Sequence, residues 1–168
     1  IAETGLKYRQ AVLQSHTDGE NRTYSFTFSS ATPVEDTAIW DGERLAIGTE
    51  ILDHTKQAVD LSFIGSGRAP FLKDHDWGKQ VGVIEGVELD EETQTLRVKN
   101  IKFSQSDEAQ ELKRDIDDGI RQNVSVGYFI EELKEKERGV YHATRWKPYE
   151  VSSVAIPADE KVGFGRTK

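Results

Sequence analysis

Apolar and polar side chains alternate with a period of two along much of this chain, while helical spacing is rare, and that contrast constrains the fold most. Tyr24, Phe26 and Phe28 alternate with Ser25, Thr27 and Ser29, the pattern of a half-buried strand. Leu6, Tyr8 and Val12 mark an earlier strand whose alternation is blurred by Ala11 and Leu13. From Ser29 to Gly48, Pro33, Gly42 and an acidic cluster read as a long irregular connection, with Trp40 expected to pin it to the core. Residues 60–64 are expected to form one short helical turn, capped by Asp60 and stopped by Gly65-Ser66-Gly67.

The middle of the chain is more regular. Val81, Val83, Val87 and Leu89 lead into Asp90-Glu91-Glu92-Thr93-Gln94, and Leu96, Val98, Ile101 and Phe103 follow. This is a hairpin with an acidic loop, and phase slips at Gly86 and Asn100 are expected to be bulges or bends. One convincing helix comes next. Ser106 caps it, Gly119 ends it, and Ala109, Leu112 and Ile116 stripe one face. Strands are expected over 123–133 and 140–147, joined by a charged turn over 134–139, with a last strand over 150–156 closed by Pro157. The pattern predicts a single domain over 1–168, mainly β with one or two flanking helices (α+β), closed as a β-barrel.

Composition removes several classes of chemistry. The chain has no cysteine, which excludes disulfides, thiolate metal sites and a cysteine nucleophile. With 22 basic and 30 acidic residues the net charge is −8, a field that repels phosphate backbones, so no nucleic-acid partner is expected. The mean hydropathy of −0.62 and the lack of a long apolar run predict no membrane span. Ile-Ala-Glu-Thr-Gly at the start has neither a basic nor an apolar segment, so no signal peptide is expected. Methionine is absent even at position 1, and the chain is expected to be a processed product or an excised fragment.

Nucleophilic catalysis would therefore fall to serine or threonine with a histidine base, and the histidines are His16, His54, His75 and His142. Ser125 sits between Val124 and Val126, so alternation puts it on the face opposite the two valines. It is then either a small polar residue on a wet strand face or a hydroxyl in a cleft, with Gly127 leaving room for a substrate backbone. His75, in Lys73-Asp74-His75-Asp76, is either a surface histidine in an acidic turn or a base held at the mouth of a strand. Asp74, His75 and Asp76, or Asp53 with His54, are candidate metal ligands. Their adjacency on an extended chain is poor for chelation, and no metal is expected. Glu150 is one more surface glutamate or the carboxylate that orients a catalytic histidine. A hydrolase using two carboxylates has no paired signature to support it.

Three segments in order carry a family resemblance. Phe71-Leu72-Lys73-Asp74-His75-Asp76 followed by Val81-Gly82-Val83-Ile84 resembles the histidine block of the prohead (capsid maturation) proteases of tailed bacteriophages. Asp118-Gly119-Ile120-Arg121-Gln122-Asn123-Val124-Ser125-Val126-Gly127-Tyr128 resembles their serine block. Glu150-Val151-Ser152-Ser153-Val154-Ala155-Ile156-Pro157-Ala158 resembles their closing signature. The resemblance covers about residues 32–158 and implies a fold and chemistry similar to herpesvirus assemblin, a β-barrel serine protease.

By that resemblance Ser125 is the nucleophile, His75 the general base and Glu150 the third member, with His142 as the rival for the third place. It implies cleavage of scaffold protein, or of the scaffold-like segment of the major capsid protein, and self-cleavage, inside a prohead in the bacterial host cytoplasm. It also implies no cofactor and a homo-oligomer, dimer or larger. An arginine after the third member, where assemblin is thought to find its oxyanion donor, is missing from Pro157-Ala158-Asp159-Glu160-Lys161. The oxyanion candidates are the backbone near Val126 and Gly127, or Arg121. The alternative function is an inactive β-barrel module for capsid assembly. His16 and His54 read as surface residues.

Overall fold

The computed structural model of the chain describes residues 6–12, 14–18, 21–40 and 42–155. In chain order these form β1 (Leu6–Val12), β2 (Gln14–Asp18), β3 (Asn21–Ser30), β4 (Val34–Trp40), β5 (Leu45–Leu52), β6 (Pro70–Lys73), β7 (Asp76–Asp90), β8 (Thr95–Phe103), α1 (Asp107–Asp117), β9 (Asn123–Glu137) and β10 (Val140–Val154). Hydrogen-bonded neighbours run β1-β9-β10-β6-β7-β8-β3-β2, with β5 against β10 and β4 against β5. Most pairs are antiparallel; β10 runs parallel to both β5 and β6.

No ladder among the described residues returns from β2 to β1, so the sheet is open and the expected closed barrel is not formed. Alternation determines which face of each strand is apolar. It carries no information about which two edges meet, and closure is a property of edges.

Tyr24, Phe26 and Phe28 are buried as their spacing predicts, and they join Phe71, Ile84, Leu96, Val98, Ile101, Ile130 and Trp146 in one core. The connection expected after Ser29 is instead the β4–β5 hairpin. A register shift between Val34 and Thr37, with Asp36 at φ 54°, hides its alternation. There Ile39 is the residue that enters the core, and Trp40, one residue on, turns to the other face and is 41% exposed. Trp40 therefore does not pin the segment. Residues 62–67 form turns rather than a helix, and Asp60 accepts from the Ser62 N–H at 2.9 Å at their start.

The β7–β8 hairpin forms as predicted, with Leu89 opposite Leu96. Its register is continuous across Gly86 and Asn100, so the expected bulges are absent; Gly86 takes up the local distortion at φ +83°. The Ser106 hydroxyl accepts from the Ala109 N–H at 3.2 Å to cap α1, and Gly119 follows the helix at φ +73°. Ala109, Leu112 and Ile116 are its buried face. It is the one helix among the described residues. The charged turn before β10 shrinks to Arg138-Gly139, and the strand predicted to start at Glu150 is the second half of β10, reached through a register shift between Pro148 and Glu150. Pro157 lies outside the described residues.

Candidate active site

His75 sits at a strained point in the chain. Lys73 pairs with Asp76, leaving Asp74 and His75 as a two-residue link between β6 and β7, each at φ 56°. Positive φ at both central residues matches the twist of a two-residue hairpin, and Asp and His tolerate that region better than most side chains. Neighbouring elements pin the turn. The Asp74 N–H donates to the Ser153 carbonyl at 2.8 Å, and the His75 N–H donates to Ser152 Oγ at 3.1 Å.

Across the β9–β10 ladder Glu150 lies opposite Gly127 and Ser152 opposite Ser125. Alternation places all four on one face of the sheet. Glu150 is 1% exposed. Its Oε1 is 2.5 Å from His75 Nδ1, and its Oε2 accepts from the Ser152 hydroxyl at 2.8 Å. A buried carboxylate is costly unless both oxygens find donors, and here they do. With Nδ1–H directed at the carboxylate, Nε2 is the basic nitrogen of a neutral His75.

Ser125 is also 1% exposed, as are Val124 and Val126, so β9 has no wet face at this point. Ser125 Oγ is buried and makes no hydrogen bond among the described residues. A Cβ at Gly127 would stand 2.4 Å from Glu150 Oε1 and 2.8 Å from Tyr149 Oη, so the room beside this glycine is taken by the protein's own side chains. The Tyr149 ring stacks on Phe129 at 4.7 Å and meets exposed Trp77 edge-on at 6.3 Å.

The other expected site residues are placed as follows. Arg121 donates from Nε to Ser153 Oγ at 3.0 Å and from Nη2 to the Ser153 carbonyl at 3.1 Å and Asp74 Oδ1 at 2.8 Å. Val126 and Gly127 belong to a strand paired with β1 on one side and β10 on the other, where backbone amides are spent in ladders. His142 Nδ1 is 2.7 Å from Asp53 Oδ1. It precedes Glu150 on β10 by eight residues, about 26 Å along an extended strand, so it is not part of the His75 cluster.

His54 is not a surface residue: it is fully buried, and its ring meets Trp146 edge-on. Its Nδ1–H donates to the Leu52 carbonyl at 2.7 Å, so its Nε2 accepts from the Ser29 hydroxyl at 2.9 Å. The Ser29–His54 pair gave no signal in the sequence, where His54 lies between Asp53 and Thr55 and Ser29 between Phe28 and Ser30. Glu50, which no local pattern marks, is also buried; it accepts from the Tyr128 hydroxyl at 2.8 Å and pairs with Lys7. The His16 side chain lies outside the described residues. Among the described residues no group of three or more His, Asp or Glu is arranged to hold a metal ion.

The sequence profile of the caudovirus prohead serine proteases matches residues 53–163, a span that contains His75, Ser125 and Glu150. The chain belongs to this family. Over 127 residues, 71% of its length, the chain is 46% identical to a protein named major capsid protein from Halomonas phage phiHAP-1. It spans 21% of that relative's length. It is also similar to the solved bacteriophage T4 capsid assembly protease, covering 90% of this chain and 99% of that one with a TM-score of 0.45 and 11% identity.

Proposed function

We propose that this chain is the endopeptidase of prohead maturation, with Ser125 as nucleophile, His75 as general base and Glu150 as the carboxylate that orients the base. The observation that carries the proposal is the 2.5 Å contact of His75 Nδ1 with buried Glu150, on the sheet face that also bears Ser125. His75 Nε2 takes the Ser125 proton as Oγ bonds to the scissile carbonyl carbon. The imidazolium, stabilised by Glu150, then gives that proton to the departing amine. Water hydrolyses the acyl-serine by the same relay. The oxyanion is assigned to the Val126 or Gly127 amide, which requires one ladder beside Ser125 to open locally.

Capsid protein, or scaffold protein, is the proposed substrate, cut inside the prohead in the bacterial host cytoplasm. The identity to a stretch of a much longer protein named major capsid protein supports this reading. It also supports protease and substrate starting in one polypeptide, which makes self-cleavage part of the proposal. We further propose that the chain works as a dimer or larger homo-oligomer. One observation favours the rival reading, an inactive assembly module: Ser125 Oγ is buried and makes no hydrogen bond among the described residues.

Incubation with a capsid protein that carries its scaffold-like segment separates the two readings. The proposal expects discrete cleavage products from the native chain and none from Ser125→Ala. Intact substrate in both reactions, or the same products in both, would overturn it.

A further inference from the structure

We propose that Arg121 is a positioning residue for His75, acting through Asp74 and Ser153. The inference rests on the reading of His75 as the general base, and it gives Arg121 a different task from the oxyanion role open to it in the sequence.

Asp74 and His75 both sit at φ 56°, a conformation that a free chain seldom holds at two successive side-chain-bearing residues. The turn must therefore be held from outside. Ser152 and Ser153 take its two backbone N–H groups, and the third hold is the Arg121 guanidinium on Asp74 Oδ1 at 2.8 Å. The same guanidinium grips both Ser153 Oγ and the Ser153 carbonyl. One planar fork thus fixes the base's turn against the strand that carries Glu150.

Arg121 is itself anchored. Its N–H and that of Ile120 donate to the Asp115 carbonyl at 3.2 and 2.8 Å, at the end of α1. Two residues later β9 begins, and Ser125 is its third residue. The Arg121 side chain is 16% exposed, and its two bonds to Ser153 are partly buried, while the Asp74 carboxylate it holds is half exposed. Ser153 alternates to the opposite sheet face from Ser152, Ser125 and Glu150, and a guanidinium bonded to Ser153 Oγ approaches from that side. It is placed to set the angle at which His75 meets Glu150, and away from the carbonyl that Ser125 would attack.

Arg121→Ala, Arg121→Lys and Asp74→Asn test this by two measurements. The first is phosphonylation of the folded protein by a fluorophosphonate, separated into an inactivation rate constant and a binding constant. The second is the NMR signal of the His75 Nδ1 proton. Arg121→Ala is expected to slow inactivation roughly 10- to 100-fold with little change in binding, and to lose or shift the ring-proton signal. Arg121→Lys, a point charge without the fork, should recover part of the rate. Adding Asp74→Asn to Arg121→Ala should cost nothing more. A native rate and an unchanged ring proton in Arg121→Ala would overturn the inference. If the native chain itself resists the reagent, the assignment of Ser125 fails. The ring proton then decides on Arg121 alone: its loss in Arg121→Ala supports the positioning role, and its persistence overturns it.

Discussion

The Glu150 carboxylate fills the space that a side chain at Gly127 would occupy: a Cβ there would stand 2.4 Å from Oε1 and 3.0 Å from Cδ. The two residues face one another across β9 and β10, so the absent side chain on one strand makes the buried carboxylate on the other possible. Gly127→Ala is expected to cost about 1–3 kcal/mol of stability by overpacking and to displace Glu150 from His75. Thermal unfolding and fluorophosphonate labelling would check this. In Gly127→Ala/Glu150→Ala most of the stability should return while labelling stays low.

Ser125→Ala is expected to remain folded and to gain stability, by on the order of 1 kcal/mol, because it removes a buried hydroxyl that makes no hydrogen bond among the described residues. Denaturant unfolding of the two chains would show the shift. A polar group kept at a structural loss is the mark of a residue retained for another purpose.

Ser29 with His54 and Ser125 with His75 make opposite predictions. Ser29 and His54 are buried, and His54 is held by the Leu52 carbonyl where His75 is held by a carboxylate. Ser29→Ala removes the hydroxyl bonded to the buried His54 Nε2 and should cost about 1–3 kcal/mol with no effect on the site of labelling. Peptide mapping of the labelled chain, with its unfolding midpoint, tests both halves.

Much of this arrangement was legible in the sequence because it rests on short-range rules. The helix followed from Ser106, Gly119 and a stripe of three apolar residues, and the β7–β8 hairpin followed from alternation about an acidic loop. No single position marked His75, Ser125 or Glu150; the resemblance of three short blocks in order did, and the structure brings His75 and Glu150 into contact over 75 residues of chain. What stayed hidden depends on pairing. The open sheet, the burial of both faces of β9 and the depth of His54 are decided by which strands meet, and period-two patterning does not encode partners. The Arg121 fork was equally invisible, since nothing local to position 121 announces Asp74 and Ser153.

Alkaline stability should depend on Tyr24. Burial first, and then the Asp117 carboxylate that accepts its hydroxyl at 2.7 Å, hold the phenol well above its ordinary value. A group whose folded value is raised stabilises the fold fully below its unfolded value, near 10 for tyrosine, and loses that contribution as pH climbs toward the folded value. Unfolding midpoints measured from pH 8 to 11 should fall above about pH 10 in the native chain. Tyr24→Phe should start lower, having lost the tie to α1, and show a shallower decline over that range.

Intact-mass spectrometry after fluorophosphonate treatment tests the central claim most directly, run on the native chain, Ser125→Ala and His75→Ala. A single adduct on the native chain, missing from both variants, is the predicted result. An adduct that persists in Ser125→Ala, or no adduct on a folded native oligomer, would contradict the assignment of Ser125 and His75 as nucleophile and base.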